Sequence, residues 1–482
     1  MQLNGHFTDH QWQLGWHHSN HQFEQVGRNF FLHEATLAAV ESGAFDLQAS
    51  PASQAGVLDA LRVTAYRESR HDQQSLYGQY THQGMTLSGG NLTLTAKAEY
   101  RQEKYHDVHD PLSLAGQLNG GFDAVRNRHG KQSIADLSLL MQAPIHTQLT
   151  LDAGIRYSDS NRFKAAHAGH LSMTYQPWDS LQIHAAYSHD FNRPSLYQSP
   201  SNDDITTEDI IYPPICLGAP QPMDCYLRDV TVIDRFNASL KAEQADQWRL
   251  SINYQPTNQS LIQVSYVDSR IEDVIRDIPA SYVVFANDVP DIIIPSGMGC
   301  ADGVCVVGFG NVGQLDHQSV LLAMGFQADV FGGTYATNWQ SVHVLEDRYV
   351  GLLPLSSENP RYYPEPIQDS GNRVGGLNQP KHRLQWRHSF GKNNWQLHHQ
   401  INLVGQQDQL AYVVTSRTPT WVTHDVQFNH HNAWQGQLTL GIQNLLAKAP
   451  PLGQERFTAE RYQTELYNPF GRIVYARYTQ EF

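Results

Sequence analysis

The chain has 482 residues with a formal net charge of −14, only 17% of it charged and 10% aromatic. That acidity excludes a nucleic-acid binder, whose phosphate partner needs a basic surface. Mean hydropathy is −0.48, and no window nears the roughly 18 continuous apolar residues of a membrane-crossing helix, so any membrane is crossed by strands.

In chain order, Met1–His10 has no basic, apolar or small-residue cleavage pattern of a signal peptide; a trimmed chain or a fragment is expected. Gln11–Trp16 reads as a strand and His33–Gly43 as a short helix in a loop. Strict alternation then dominates. Leu92, Leu94, Ala96, Ala98 and Tyr100 alternate with polar residues, as do Leu149, Leu151, Ala153, Ile155 and Tyr157. Leu171, Met173 and Tyr175 turn at Gln176–Asp179 into Leu181, Ile183, Ala185 and Tyr187. Trp248, Leu250, Ile252 and Tyr254 turn by Gln259 into Ile262, Val264 and Tyr266, and Leu384 and Trp386 turn at Gly391–Asn394 into Trp395, Leu397, Ile401 and Leu403.

Each run is about the ten-residue length of a membrane-spanning strand. The count is roughly sixteen strands, since boundaries read from sequence are soft. Short polar turns contrast with long irregular stretches near 191–243, 273–312 and 346–380. That asymmetry predicts an all-β protein, a transmembrane antiparallel barrel with short periplasmic turns and long extracellular loops. Tyr157, Tyr175, Trp178, Tyr187, Tyr254, Trp386 and Trp395 fall at strand ends, where amphipathic rings favour the membrane–water interface.

Four cysteines lie in two close pairs, Cys216/Cys225 and Cys300/Cys305, each in a Pro- or Gly-rich stretch. Loop disulfides in an oxidising compartment are the natural reading; unpaired thiols are the alternative. Twenty-five histidines include His17, His18 and His21 and the pairs His398–His399 and His430–His431. Neighbours on a strand point to opposite faces, so adjacent histidines are read as polar wall residues, with no metal or cofactor assigned. Acidic Asp203–Asp204 and Glu208–Asp209 read as solubilising loop charge. Gly308–Asn311 is a lone glycine pair read as a loop turn. No phosphate-binding loop, nucleophile elbow or His-Glu-x-x-His helix occurs, so no catalytic residue is named and an enzyme is not expected.

Five segments, in order, carry a family resemblance. They are Tyr187-Ser-His-Asp-Phe-Asn-Arg-Pro-Ser-Leu196, Leu240-Lys-Ala-Glu-Gln-Ala-Asp-Gln-Trp248, Phe309-Gly-Asn-Val-Gly-Gln-Leu315, Leu440-Gly-Ile-Gln-Asn-Leu-Leu-Ala-Lys-Ala-Pro-Pro451 and the closing Tyr467–Phe482. Together they resemble the barrel of TonB-dependent receptors, most clearly over residues 187–482, with the whole of 1–482 as barrel. The resemblance implies a roughly 22-stranded barrel filled by an N-terminal plug, of which no plug pattern or TonB box is seen near Met1. Leading strands are then expected to be missing and two sheet edges free. The resemblance also implies a last strand, with Val474, Ala476, Tyr478 and Phe482 facing lipid, that the barrel-assembly machinery reads; Gln480 departs from the pattern.

The implied function is uptake of a scarce ligand (iron–siderophore, cobalamin or oligosaccharide) across the outer membrane of a Gram-negative bacterium. Loops 196–240, 273–312 and 346–380 would bind the small molecule, and TonB would act only through the plug. The alternative is a plug-less fragment acting as a passive pore or a non-functional remnant. A third reading, a soluble carbohydrate-binding or hydrolytic β protein, is disfavoured by the ordered motifs.

Overall fold

The structure is a computed structural model that describes residues 1–119, 126–211, 226–288, 294, 297–351, 371–376, 379–410, 415–431, 436–451 and 466–480. Strand β1 (Gln2–Phe7) turns at Thr8–Asp9 into β2 (His10–Leu32). A connection with the helices His33–Glu41 and Ala55–Leu61 leads to β3 (Arg62–Leu87), which turns into β4 (Gly90–His109). A loop holding β5 (Leu118–Asn119) precedes β6 (Arg128–His146), β7 (Leu149–Ser160), β8 (Ala166–Trp178) and β9 (Leu181–Asn192). The next connection holds β10 (Asp204–Ile211) and β11 (Tyr226–Asp234), before β12 (Glu243–Thr257) and β13 (Ser260–Glu272). Then come β14 (Ile275–Ile278), the helix Ala280–Asp288, β15 (Gly299–Ala301) and β16 (Val304–Asn311), followed by β17 (Gln314–Val330) and β18 (Gly333–Val350). The chain ends through β19 (Gly371–Asn372), β20 (His382–Lys392), β21 (Trp395–Val404), β22 (Gln407–Leu410), β23 (Thr415–Thr418), β24 (Trp421–His431), β25 (Gly436–Gln443) and β26 (Ile473–Gln480).

Among the described residues, seventeen strands form one antiparallel wall, each paired with its neighbour along the wall: β1–β4, β6–β9, β12, β13, β17, β18, β20, β21 and β24–β26. This agrees with the count of roughly sixteen made from alternation. Among the described residues no ladder joins β1 to β26, so each presents an unpaired edge.

Register sorts the side chains into two faces. On one, Trp12, Leu14 and Trp16 of β2 stand opposite Tyr80, Gly78 and Leu76 of β3, and Leu94, Ala96, Ala98 and Tyr100 of β4 continue the row. Leu137, Leu139, Ile155, Leu171, Leu250, Ile252, Val264, Leu440 and Val474 extend this apolar face, and all are exposed. Trp248 keeps 61% of its surface open and Val474 70%. An apolar patch running around a whole sheet is untenable in water and is the lipid-facing band of a membrane barrel. No helix among the described residues is long and apolar enough to cross a membrane; the strands are what cross.

The other face is polar. Arg67 grips Asp107 with two 2.9 Å bonds, and Tyr105 donates to the same carboxylate at 3.0 Å. Lys97, Glu99, Arg101 and Glu103 alternate signs along β4. Gly441 is needed on this face because the ring of Tyr475, from the paired strand, lies where its Cβ would stand.

Three expectations change. Trp386 is not at a strand end. It lies in mid-β20 on the outward face, where its indole donates to Thr337 Oγ1 at 2.9 Å. Gly308–Asn311 is no turn but the end of β16; Gly308, at φ 151°, lets the Arg235 carbonyl come closer than any Cβ would permit. The stretches 191–243 and 273–312 are not irregular, because they hold β10, β11 and β14–β16. The helix expected at His33–Gly43 is found at His33–Glu41.

Candidate functional site

Two connections at the loop end of the wall fold into a cap. Strand β11 pairs antiparallel with β10 and parallel with β16, which also carries β14 and β15. β-Branched residues alternate there, and one face buries Ile210, Val230, Val232, Ile278, Val283, Val307 and Val312 around the fully buried Tyr282. This is the larger buried apolar cluster among the described residues. The wall has no such core because its apolar face looks outward.

The cap is pinned to the wall by buried charge. Arg128, the first residue of β6, donates to Asp234 Oδ2 of β11 at 2.7 Å and to the Tyr197 carbonyl at 2.6 Å. Arg126 reaches the same carboxylate oxygen at 3.1 Å. The Arg128 guanidinium lies 4.3 Å from the Tyr197 ring centroid and 5.2 Å from that of Phe309. Similar pairs surround it, with Arg162 over Phe236 at 4.8 Å and Arg276 over Tyr349 at 4.5 Å. Asn311 fastens the cap's other side: its amide donates to the carbonyls of Lys241 and Asp273, and its carbonyl accepts from Lys241 N. Cationic and aromatic groups thus gather at one mouth of an otherwise acidic chain.

Cys300 and Cys305 face each other across the β15–β16 hairpin and are joined by a disulfide. Cys216 and Cys225 lie outside the described residues. By loop-closure entropy alone, this short ring is worth about 2 kcal/mol. Replacing both cysteines by serine is expected to lower cap stability by that amount and leave the wall intact, which limited proteolysis under oxidising and reducing conditions would show.

A second connection is ordered by one carboxylate. Asp110 Oδ1 accepts from the backbone N–H groups of Leu112 and Ser113, and Oδ2 accepts from Tyr66 N at 2.8 Å and Ser113 Oγ at 2.6 Å. Burial pushes the Asp110 carboxyl up, but the bonds from Ser113, Tyr66 and Leu112 outweigh it and hold it below the ordinary value of 3.8. Its stabilisation is therefore full above that value and is lost as pH falls through the lower folded one. Asp110→Ala is expected to cost about 1 kcal/mol, read as faster hydrogen exchange at Leu112 and Ser113. The difference from wild type should vanish in strong acid.

Below the cap the polar face is concave. A cavity of about 720 Å³ is lined from the β12–β13 turn across to β26, with Asn338, Arg387, Gln400, Asp425, Gln427 and Tyr475 among its walls. Arg387 Nε donates to Gln400, Gln400 to Asn402, and Asn402 to Asp425 at 2.9 Å. Asp425 also accepts from Asn444 N, and Asn444, at φ 48°, closes the turn after β25 by bonding both ways with the Lys448 backbone. This ladder of amides can hydrogen-bond a polar solute and holds no nucleophile–base pair. Among the described residues no group of three metal-ligating side chains converges.

Val474, Ala476 and Tyr478 project together from the outward face of β26; Phe482 lies outside the described residues. The predicted binding loops 196–240 and 273–312 meet in the cap, whereas most of 346–380 falls outside the described residues. Sequence reading missed Arg128, Asp234 and Tyr197. Only the placement of Arg128 at the head of a strand could have drawn attention to them.

A polar-lined, lipid-faced antiparallel barrel wall with a folded extracellular cap defines the class of outer-membrane-type receptor barrels. The chain belongs to the family described as TonB dependent receptor-like, beta-barrel, which matches residues 2–445. No curated protein sequence matches it. Among solved structures, a point mutant of the ferric enterobactin receptor PfeA of Pseudomonas aeruginosa is similar at TM-score 0.67 and 14% identity, covering 99% of this chain and 60% of that one. The siderophore receptor PirA of Acinetobacter baumannii is similar at 0.64 and 13%, covering 99% and 61%. FpvA of P. aeruginosa, bound to a heterologous pyoverdine, is similar at 0.56 and 8%, covering 93% and 51%. The chain therefore spans about three fifths of the length of the first two. These likenesses are of fold. The family and these neighbours are transport receptors rather than enzymes.

Proposed function

We propose that residues 1–482 form the barrel portion of an outer-membrane receptor, in a Gram-negative bacterium, that takes up an iron–siderophore complex. The observation that carries this reading is the cap. It places the part-exposed Arg162 and Arg276 with Tyr197 and Phe236 at the loop mouth of a polar lumen, braced by the buried Arg128, Phe309 and Tyr349. Guanidinium and aromatic faces suit an anionic, ring-bearing chelate, and the neighbouring structures named for siderophores support the same class. Coupling to TonB would run through a plug seated in the lumen. The outward face of β26, with Val474, Ala476 and Tyr478 and the terminal Phe482, would be the strand that the assembly machinery engages.

Titration of the detergent-purified chain with a ferric catecholate, cobalamin and a maltooligosaccharide, followed by tryptophan fluorescence, tests the ligand class. Saturable binding of the ferric chelate alone is expected, weakened about tenfold or more by Arg162→Ala if that contact is charge-assisted. Binding of only cobalamin or oligosaccharide would overturn it. A passive pore is the second reading, favoured by the polar concavity of about 720 Å³; steady ion conductance in planar bilayers, without ligand binding, would establish it.

A further inference from the structure

The outward face of β2, β3, β4 and β6 changes character above its apolar rows. Trp16, Leu76, Tyr100 and Ala135 stand side by side across these four strands. Four residues farther toward the loop end the row reads Asn20, Asp72, Lys104 and Lys131, and the row beyond it holds Arg70, His106 and His129. Asn20 is eleven residues along β2 from Asp9 in the β1–β2 turn. At ~3.4 Å per residue and a strand tilt of about 40°, its row stands about 29 Å above that turn, just past an apolar band about 25 Å tall. That is the level of lipid headgroups.

These rows are basic in a chain whose net charge is −14. Their one carboxylate, Asp72, is already held by Arg70 at 3.0 Å and by the Asn20 amide. Glu24 and Glu68 stand one row farther from the membrane. Lys104 and Lys131 are direct cross-strand partners and both are exposed. Among the described residues neither ammonium has a hydrogen-bond or ion-pair partner. Like charges directly opposite each other destabilise a sheet, and an anion between them turns that repulsion into attraction. A recess of about 320 Å³ opens beside Lys104, with His18, Arg70 and Gln102 among its walls. We infer that this patch docks the phosphate of a membrane lipid headgroup in the leaflet at the loop end, bracketed by Lys104 and Lys131. Long lysine stems let the ammonium groups reach down to that level. The occupant is a lipid because the patch is continuous with the apolar row of Trp16, Leu76 and Tyr100 below it. Acyl chains use that row, whereas a free phosphate cannot. The inference rests on the strands crossing a membrane and not on what the receptor takes up.

The test uses the full chain in detergent, titrated with lipid A carrying both phosphates and with the same lipid stripped of them. The thermal midpoint of the folded form is the readout. The phosphorylated lipid is expected to raise the wild-type midpoint saturably, and the stripped lipid to bind about tenfold or more weakly. That comparison decides without any variant. Replacing Lys104 and Lys131 together by Gln should leave the midpoint in detergent alone no lower than wild type, because a repulsion is gone. The same variant should lose about tenfold or more in affinity for the phosphorylated lipid. Lys164→Gln removes an exposed charge from the β7–β8 connection and should leave lipid binding unchanged. Inorganic phosphate at millimolar concentration should not displace the lipid. Ferric-chelate binding should be the same in all these variants, so the lipid site and the ligand class fail or stand separately. Equal binding of the two lipids, undiminished affinity in the double variant, an equal loss in Lys164→Gln, or displacement by inorganic phosphate would overturn the inference.

Discussion

Arg128→Ala is expected to detach the cap from the wall at a cost of about 3–5 kcal/mol, because it leaves Asp234 buried with a weakened partner set. Arg128 and Asp234 are each close to fully buried, at 4% exposure, so little water can replace the lost bond. Arg126, at 3.1 Å, cannot also replace the stacking on Tyr197 and Phe309 or the bond to the Tyr197 carbonyl. Amides of β10, β11, β14 and β16 should then exchange roughly a hundredfold to a few thousandfold faster, while amides of β3 and β4 keep their rates. Pairing Arg128→Met with Asp234→Leu removes both charges and should recover most of the loss, since a buried ion pair is worth little against well-packed apolar groups. Unchanged exchange in the single variant would mean that the apolar cluster around Tyr282 alone holds the cap down. If the proposed ligand rests on the cap mouth, Arg128→Ala should also weaken its binding by loosening the cap, and the double variant, which restores the cap, should restore binding with it.

The wall was legible because its chemistry is local. Leu149–Tyr157 and Trp248–Tyr254 alternate in the chain as they alternate in β7 and β12, and the turns at Gln176–Asp179 and Gly391–Asn394 mark hairpins found in place. The cap was not legible. Its parallel pairing of Thr231–Asp234 with Val304–Val307 joins residues some 70 apart, and long-range pairing leaves no periodic trace in either segment. Gly308 misled for a related reason: a glycine that admits a neighbouring carbonyl reads the same as one that makes a turn. The histidines show the limit most plainly. Adjacent residues such as His398 and His399 point to opposite faces. The pairs that meet are cross-strand, and His343 faces His382 only through the register of β18 with β20. Trp386 was misplaced because alternation tells which face a ring takes but not how far along the strand it lies.

The assignment of faces carries the second large effect. Ile252 and Asn253 are consecutive in β12, about six residues above the β12–β13 turn, which at ~3.3 Å per tilted residue is near the middle of an apolar band about 25 Å tall. Ile252 stands between Ile183 and Val264 on the outward face. Asn253 stands inward and donates to Gln182 Oε1 at 3.1 Å. Ile252→Arg is expected to destabilise the folded barrel by about 2–4 kcal/mol, the cost of placing a guanidinium at the bilayer midplane. Asn253→Arg, one residue away, should cost under about 1 kcal/mol because its charge enters the aqueous lumen beside Gln182 and Gln263. Equilibrium urea unfolding in lipid vesicles measures both. The contrast matters more than either value, because the two variants add the same single positive charge at neighbouring positions of one strand and differ in the face that receives it. Equal losses would remove the distinction between a lipid face and a lumen face. A larger loss for Asn253→Arg would reverse it, and with it the reading of which side of this wall a solute passes.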